Sequence, residues 1–183
     1  MKLEVLDKDF TYHIYNRGIN GENIFITDEN KRYFLQLLGK YLDLKADILA
    51  YCLMDNHFHL LIYVKSDTDT ITQALSNFFN AYAKAFNKAA ERTGSLFEKH
   101  FKRIRVAEDE YLRKLIVYIH MNPKHHFDMD FTKYKYSSYN AYLSVKETKV
   151  ERAMGLNLFG DKENFVFVHH QKNDLIEESL MLE

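Results

Sequence analysis

Hydrophobic and polar residues follow two different periods along most of the chain. Phe10–Ile19 is rich in aromatic and β-branched residues, and Phe101–Ala107 alternates charged with apolar residues, as strands do. Asp47–Met54 and His57–Val64 are apolar runs separated by Asp55-Asn56, a pair typical of turns. The pattern therefore predicts four strands, the middle two forming an antiparallel pair.

Three longer segments carry apolar residues at helical spacing instead. They are Asp28–Leu44, with Asp28 as its expected N-cap, then Thr68–Gly94, and finally Ala107–Pro123. Since proline disfavours helical geometry in the residue before it, the third helix is predicted to end at Asn122. The region beyond Pro123 is less regular and is followed by a predicted helical tail.

The order β-α-β-β-α-β-α predicts an α+β fold with a ferredoxin-like antiparallel sheet. Helices are expected on one face of this sheet, with an added helix and a C-terminal tail. We predict one domain over residues 1–145 and a helical tail over residues 146–183.

Composition and charge indicate where the protein is located and which segment could bind nucleic acid. The 183 residues carry a net charge of −1 and a single cysteine, Cys52, and no apolar run approaches the roughly 20 residues of a membrane-spanning helix. We therefore expect a cytoplasmic, nucleoid-associated protein without a membrane partner. Within the neutral total, the segment KHFKRIR holds four cations and no acid, namely Lys99, Lys102, Arg103 and Arg105. This segment fits either a nucleic-acid contact or a solvated charged face.

The segment MDNHFHLLIYV offers candidate chemistry. Because side chains alternate along a strand, His57 and His59 share one face while Phe58 and Leu60 share the other, apolar face. Two neutral imidazoles about 7 Å apart at Cα can bind one divalent cation. By itself an H-x-H pattern is weak and favours two surface histidines on a strand over a metal site.

The helical segment VYIHMNP offers further ligands and a nucleophile. Tyr118 and Asn122 are four residues apart, so they lie on one helical face beside the apolar stripe. The Asn122 amide could bind a metal while Tyr118 points at whatever the metal holds. In isolation the same pair also fits a tyrosine at the rim of the core and an asparagine before a helix end.

The remaining histidines show no spacing typical of a metal site. His13 on the first strand either supports the two metal histidines or lies at the core edge. We expect the others to be exposed or at helix ends, namely His100, His120, His125, His126, His169 and His170.

Taken together, the motifs resemble the HUH single-tyrosine transposases, and among them the REP-associated tyrosine transposases. The resemblance extends from Tyr12 to about Leu143 and includes YHIYNRG, AYCLMDNHFHLLI, GSLFEKHFKRI and DEYLRKLIVYIHMNP. The chain departs from the family at Asp55, where many relatives have proline. It departs again after Pro123, where it reads KHHF and many relatives read Val-Arg-Ala-Gly.

The resemblance implies cleavage of single-stranded DNA, often a hairpin or palindromic repeat, by a monomer or homodimer. Tyr118 would form a 5′-phosphotyrosine, and His57, His59 and Asn122 would bind Mg²⁺ or Mn²⁺. Lys114, one turn before Tyr118, is our candidate for a cation that eases ionisation of the phenol. Arg17 and the KHFKRIR cations would contact phosphates.

Two other functions remain open from the sequence. A catalytically silent, domesticated single-stranded DNA-binding protein would keep the same surface. A histidine-triad nucleotide hydrolase also uses alternating histidines on a strand, but Leu61 occupies the third alternating position.

Overall fold

The computed structural model describes residues 4–171, which form a four-stranded sheet and six α-helices. The four strands and the first three α-helices follow the order β-α-β-β-α-β-α that the sequence predicts. The strands are β1 (Thr11–Arg17), β2 (Ala46–Leu53), β3 (His57–Val64) and β4 (Lys102–Val106). The helices are α1 (Asp28–Leu42), α2 (Thr68–Ala89), α3 (Asp109–Phe127), α4 (Tyr139–Leu143), α5 (Arg152–Asn157) and α6 (Lys162–His170).

The sheet has the strand order β2-β3-β1-β4, and every neighbouring pair is antiparallel. This is the ferredoxin-like arrangement, so the predicted α+β fold is confirmed. In the register, His59 lies opposite Tyr15 of β1 and Cys52 of β2, and Tyr15 lies opposite Lys102 of β4. Since directly opposed residues share a face, these four side chains lie on one side of the sheet.

Helices α1 and α2 cover the other side of the sheet. Phe58 and its alternating partners on β3 are fully buried there against an aromatic cluster, in which Phe34 contacts Phe78 and Tyr82 at ring distances of 4.8 and 5.0 Å. The Tyr82 hydroxyl donates to the Ile24 carbonyl at 2.6 Å, so its polar end is satisfied inside the core. The apolar face that the strand pattern predicts is therefore the main core face.

Helix α3 packs on the side of the sheet that carries the histidines. It buries Leu115 and Ile119 against Cys52 and Leu61, and Phe165 of α6 joins the same second core. The segment after residue 145 is attached to the sheet as well, because the Glu151 amide donates to the Ile48 carbonyl at 2.8 Å. The part of the predicted tail over residues 172–183 lies outside the described residues.

Three predicted helix ends are wrong. Helix α2 ends at Ala89 rather than at Gly94. Helix α1 is capped by Thr27 rather than Asp28, because the Thr27 side chain and Asn30 form a reciprocal capping box. Helix α3 does not end at Asn122 but continues through Pro123 to Phe127, where Asp128 takes left-handed geometry. The Asn122 side chain donates to the Tyr118 carbonyl at 3.0 Å, which helps to hold the turn before the proline in helical geometry.

Two histidines that we expected to be exposed or at helix ends are buried, although His169 does lie in the last turn of α6. His120 and His169 bond to each other at 2.9 Å through Nδ1 and Nε2, His120 Nε2 lies 2.7 Å from Ser138 Oγ, and His169 Nδ1 donates to the Phe165 carbonyl. The expectation failed because α6 folds back over α3 and covers both rings. Among residues 4–171, no helix is long and apolar enough to cross a membrane.

Candidate active site

His57 and His59 lie next to each other at the start of β3, on the face that α3 covers. Their ring centroids are 5.2 Å apart. His59 is buried and His57 is half-buried, so the predicted shared face is correct but the pair is not an ordinary surface pair.

The bonds around His57 define where its lone pair lies. Its Nδ1 is 2.8 Å from the Asn56 carbonyl oxygen Oδ1, an acceptor, so Nδ1 carries the proton of the neutral ring. Nε2 then carries a lone pair, and it lies 3.3 Å from Oδ1 of Asn122. The Asn122 amide nitrogen donates to the Tyr118 carbonyl, so Asn122 presents its oxygen to His57. Nε2 of His57 and Oδ1 of Asn122 are therefore two electron-rich atoms that face each other.

His13 supports His59 from the neighbouring strand. Its Nε2 lies 3.0 Å from Nδ1 of His59, and its ring stacks on Tyr15 at 4.8 Å. If His59 Nδ1 donates in this bond, His59 Nε2 is left to bind a cation, which is how ligating histidines are commonly oriented. The bond also explains why a buried histidine on β1 is tolerated.

Burial keeps these imidazoles neutral. It lowers the pKa of His57 to about 4 and that of His13 to about 3, and the Asn122 side chain opposes this effect at His57. Burial also lowers the pKa of His59 well below its usual value, and the charges of His13 and His57 add to this effect. Neutral imidazole is the form that can bind metals, so burial favours the form of these rings that could act as ligands at neutral pH.

Helix α3 places its polar residues against the histidines. The Tyr118 ring meets the His59 ring edge to face at 5.8 Å, and Asn122 is fully buried next to His57. Tyr118, His57 and His59 line one cleft of about 630 Å³. The predicted nucleophile and all three predicted metal ligands therefore meet within a single chain.

Two histidines that line the cleft, His125 and His126, were not predicted as site residues. The His126 ring lies 4.9 Å from that of His57, and the His125 ring lies 6.0 Å from that of Tyr118. They reach the cleft because α3 continues past Pro123. The available signal was their spacing of seven and eight residues from Tyr118, which is two helical turns.

The basic residues of KHFKRIR do not form one surface. Lys102 lies on the histidine side of the sheet and lines the cleft, but Arg103 and Arg105 lie on the opposite side with Ile14 and Tyr12. Their guanidinium groups lie over the rings of Phe101 and Phe10, respectively. Lys99 is exposed in the preceding loop.

The two remaining predicted cations have acidic partners. Arg17 lines the cleft and pairs with Glu98 at 2.6 Å, with its side chain still 64% exposed. Lys114 pairs with Glu110 at 2.7 Å, one turn earlier on α3, and is not among the cleft-lining residues. A phosphate would compete with a carboxylate for either side chain.

The candidate metal donors are the imidazoles of His57 and His59 and the amide oxygen of Asn122, with no carboxylate among them. Within the described part of the chain, no group of three or more His, Cys, Asp or Glu side chains is arranged to hold a metal. Two imidazoles and an amide oxygen are nevertheless ligands for ions such as Mn²⁺, and the 3.3 Å gap between acceptors favours a positive group between them.

The fold and the site together define a ferredoxin-like α+β domain that brings two strand histidines to a helix tyrosine and asparagine. The model of a known family, described as "Transposase IS200 like", matches residues 7–122. The chain therefore belongs to the IS200-like transposase family.

A solved structure has the same fold. It is that of a REP-associated tyrosine transposase bound to a REP hairpin, with a TM-score of 0.62 and 16% sequence identity. The match covers 78% of this chain and 84% of that one. No curated protein matches the chain.

Proposed function

We propose that this protein cuts single-stranded DNA with Tyr118 and holds the cut strand as a 5′-phosphotyrosine for transfer to a second strand end. The observation that carries the proposal is the meeting of Tyr118, His57, His59 and Asn122 in one place. Family membership and the DNA-bound structure of similar fold support it.

The proposed metal ligands are His57, His59 and Asn122. A bound Mg²⁺ or Mn²⁺ would stabilise the negative charge that develops on the phosphate during transfer. His13 would fix the ring of His59 through the bond between His13 Nε2 and His59 Nδ1, and Asn56 would fix the ring of His57. These bonds orient the ligating nitrogens before any substrate arrives.

Tyr118 would attack the phosphorus through its hydroxyl oxygen. A bond forms between this oxygen and phosphorus, the bond from phosphorus to the 3′ oxygen breaks, and the departing 3′ oxygen gains a proton as the tyrosine loses one. A different 3′-hydroxyl can then attack the phosphotyrosine and release Tyr118. Since each step exchanges one phosphoester for another, the rejoining requires no ATP.

We propose that the DNA is a hairpin or palindromic repeat whose single-stranded part enters the cleft. Lys102 and Arg17 are the cations that line this cleft and would contact phosphates, and Tyr15 offers a ring for a base to stack on. Lys114 would reach a phosphate only after leaving its ion pair with Glu110.

The test is the formation of a covalent adduct with hairpin oligonucleotides taken from the protein's own genomic neighbourhood, in the presence of Mn²⁺. We expect a denaturant-resistant adduct, with the nucleotide on Tyr118 by mass spectrometry. Tyr118→Phe should abolish the adduct while leaving DNA affinity unchanged, because only the hydroxyl is lost.

Tyr111→Phe is the matched control, seven residues earlier on the same helix, and it should form the adduct normally. An adduct on Tyr111 would overturn the assignment of the nucleophile. Tight hairpin binding without any adduct would instead favour the catalytically silent binding protein.

A further inference from the structure

We propose that Lys31 is a positioning residue for the active site and acts on His57 through the turn between β2 and β3. The proposal rests on the proposed function, because His57 belongs to the group of residues that would carry it. Lys31 lies on α1, on the far side of the turn from the cleft residues of α3, and no part of the proposed function uses it.

The turn before His57 lacks the backbone geometry that makes short turns stable by themselves. Asp55 and Asn56 form its tip, and neither residue takes a positive φ angle. The favoured two-residue turns between antiparallel strands place at least one residue in that left-handed region, because the twist of the turn then matches that of the strands. This turn therefore depends on contacts from outside the hairpin.

Lys31 supplies a side-chain contact of this kind. It is buried, and its Nζ lies 2.8 Å from Oδ1 of Asp55. The lysine side chain is 11% exposed and the aspartate side chain 51%, so the ammonium group lies inside the fold and the carboxylate lies at its surface. Because a buried ammonium group without a partner is costly, the pair favours one position of Asp55.

Two tyrosines hold the ammonium group of Lys31 in place. Nζ donates to the Tyr134 hydroxyl oxygen at 3.3 Å, and this hydroxyl donates to the Leu53 carbonyl at 2.6 Å. Nζ also lies 5.3 Å from the centre of the Tyr136 ring, which is within the range of a cation–π contact. Lys31 is thus linked both to the last residue of β2 and to the turn that follows it.

The main chain of the turn is held by the same region of the fold. The Asp55 carbonyl accepts from the amides of Ile24 and Phe25 at 2.8 and 2.9 Å, shortly before α1 begins. The next residue, Asn56, has its side-chain oxygen 2.8 Å from Nδ1 of His57. A shift of Asp55 therefore reaches the His57 ring through one intervening residue. A misplacement of about 1 Å at a reacting centre can cost about a hundredfold in rate.

The experiment compares Lys31→Met with Lys135→Met in the full chain. Each lysine pairs with an aspartate at 2.8 Å and lies 5.3 Å from the Tyr136 ring, but Lys135 is exposed and its partner is Asp28 at the start of α1. In Lys31→Met, adduct formation at saturating hairpin should slow by at least about tenfold, with little change in the Kd of the hairpin. Lys135→Met should match the unmodified chain in both measurements.

A second readout follows the His57 ring itself, in the absence of DNA and metal. By nitrogen NMR, His57 of the unmodified chain should show one neutral tautomer, with its proton on Nδ1 facing Asn56. In Lys31→Met both tautomers should be populated, because Asn56 is no longer held in one position. The signals of His169, which is buried under α6, should be unchanged and so report that the variant is folded.

Asp55 offers a conservative substitution as a further control. Asp55→Asn keeps an oxygen acceptor for Lys31 and should retain most of the adduct rate and the single His57 tautomer. Asp55→Ala removes the acceptor and should behave like Lys31→Met. If Lys31→Met does not fold, the comparison of these two variants decides the question, because the Asp55 side chain is half exposed and tolerates substitution better.

A normal adduct rate and a single His57 tautomer in folded Lys31→Met would overturn the inference while leaving the proposed function intact. The same conclusion would follow if Asp55→Ala kept both the adduct rate and the tautomer of Asp55→Asn. Failure of the proposed function would give a different result. No form of the chain would then make an adduct, whereas Lys31→Met would still mix the two tautomers of His57.

Discussion

Nε2 of His57 and Oδ1 of Asn122 lie 3.3 Å apart, although one belongs to a strand and the other to a helix 65 residues further along the chain. Both atoms act as acceptors when His57 Nδ1 donates to Oδ1 of Asn56, since the Asn122 amide nitrogen donates to the Tyr118 carbonyl. Facing lone pairs repel each other unless a cation lies between them. This pair of atoms supports our proposal that a cation binds at this point.

Removing both strand histidines should abolish divalent cation binding. In His57→Ala/His59→Ala, both proposed nitrogen ligands are lost, so calorimetry should detect no Mn²⁺ binding at concentrations that saturate the unmodified chain. His170→Ala, an exposed histidine on α6, is the control and should bind normally. Full Mn²⁺ affinity in the double variant, with a normal thermal melting curve, would mean that the metal binds elsewhere.

Asn122→Ala should distinguish the role of the metal from the role of the Tyr118 nucleophile. The variant loses one oxygen ligand but keeps the Tyr118 hydroxyl, so adduct formation should fall and then recover in part as Mn²⁺ is raised. Tyr118→Phe should not recover at any Mn²⁺ concentration, since its defect is the missing hydroxyl. Adduct yields measured across a Mn²⁺ titration distinguish the two, and equal failure to recover would argue against Asn122 as a ligand.

The core of this site could be predicted because it depends on local periodicity. Alternation along β3 places His57 and His59 together, and the four-residue spacing on α3 places Tyr118 above Asn122. No local rule reveals that these two elements face each other. For that step the sequence offered only the resemblance to a known family.

The parts that were missed depend on packing between distant segments. Proline disfavours helical geometry in the residue before it, yet α3 continues through Pro123 because it packs into the second core. This continuation places His125 and His126 in the cleft. Likewise, the sequence gives no sign that His120 and His169 are buried, because their burial depends on the packing of α6 against α3. Single-residue preferences of about 1–3 kcal/mol are easily outweighed by such burial.

Lys102 and Arg105 should differ in their effect on DNA binding, because β4 directs them to opposite sides of the sheet. For single strands the logarithm of affinity falls with the logarithm of salt at about 0.7 per neutralised phosphate. Lys102→Ala should lower this slope by about that amount. Arg105→Ala should leave it unchanged, since this side chain lies over Phe10, 4.0 Å from Asp7. Equal changes in the two variants would restore the view of KHFKRIR as one continuous surface.

Gly155→Ala should destabilise the fold by overpacking. A Cβ at this position would lie 2.0 Å from the Tyr142 hydroxyl, which is held in place by its 2.5 Å bond to the Leu49 carbonyl. We expect a loss of about 1–3 kcal/mol in the free energy of unfolding, measured by urea titration.

Gly39→Ala is the matched control for that loss. Its Cβ would meet only the flexible Lys149 side chain at 3.7 Å, so the substitution should be neutral or stabilise α1 by up to about 1 kcal/mol. If Gly155→Ala is as stable as Gly39→Ala, α5 is not held against Tyr142 as described.

The buried His169 should make stability depend on pH. Burial lowers its pKa to about 4 in the folded protein, against an ordinary value near 6.5 when unfolded, and the bond to the Phe165 carbonyl opposes this effect. Between these two values the unfolded chain binds more protons, so stability is full above about pH 6.5 and is lost as the pH falls towards 4. One such group contributes at most about 1.4 kcal/mol per pH unit to the slope.

His169→Gln should therefore reduce the slope of unfolding free energy against pH between 6.5 and 5, relative to the unmodified chain. The neighbouring His170→Gln should change the slope much less, because His170 affects His169 only through its charge, and burial is the larger cause of the lowered pKa of His169. The remaining slope in His169→Gln reflects the other buried imidazoles, among them His13, whose pKa burial lowers to about 3. Identical slopes for His169→Gln and the unmodified chain, from urea titrations at matched pH values, would show that α6 does not hold His169 in its buried, neutral form.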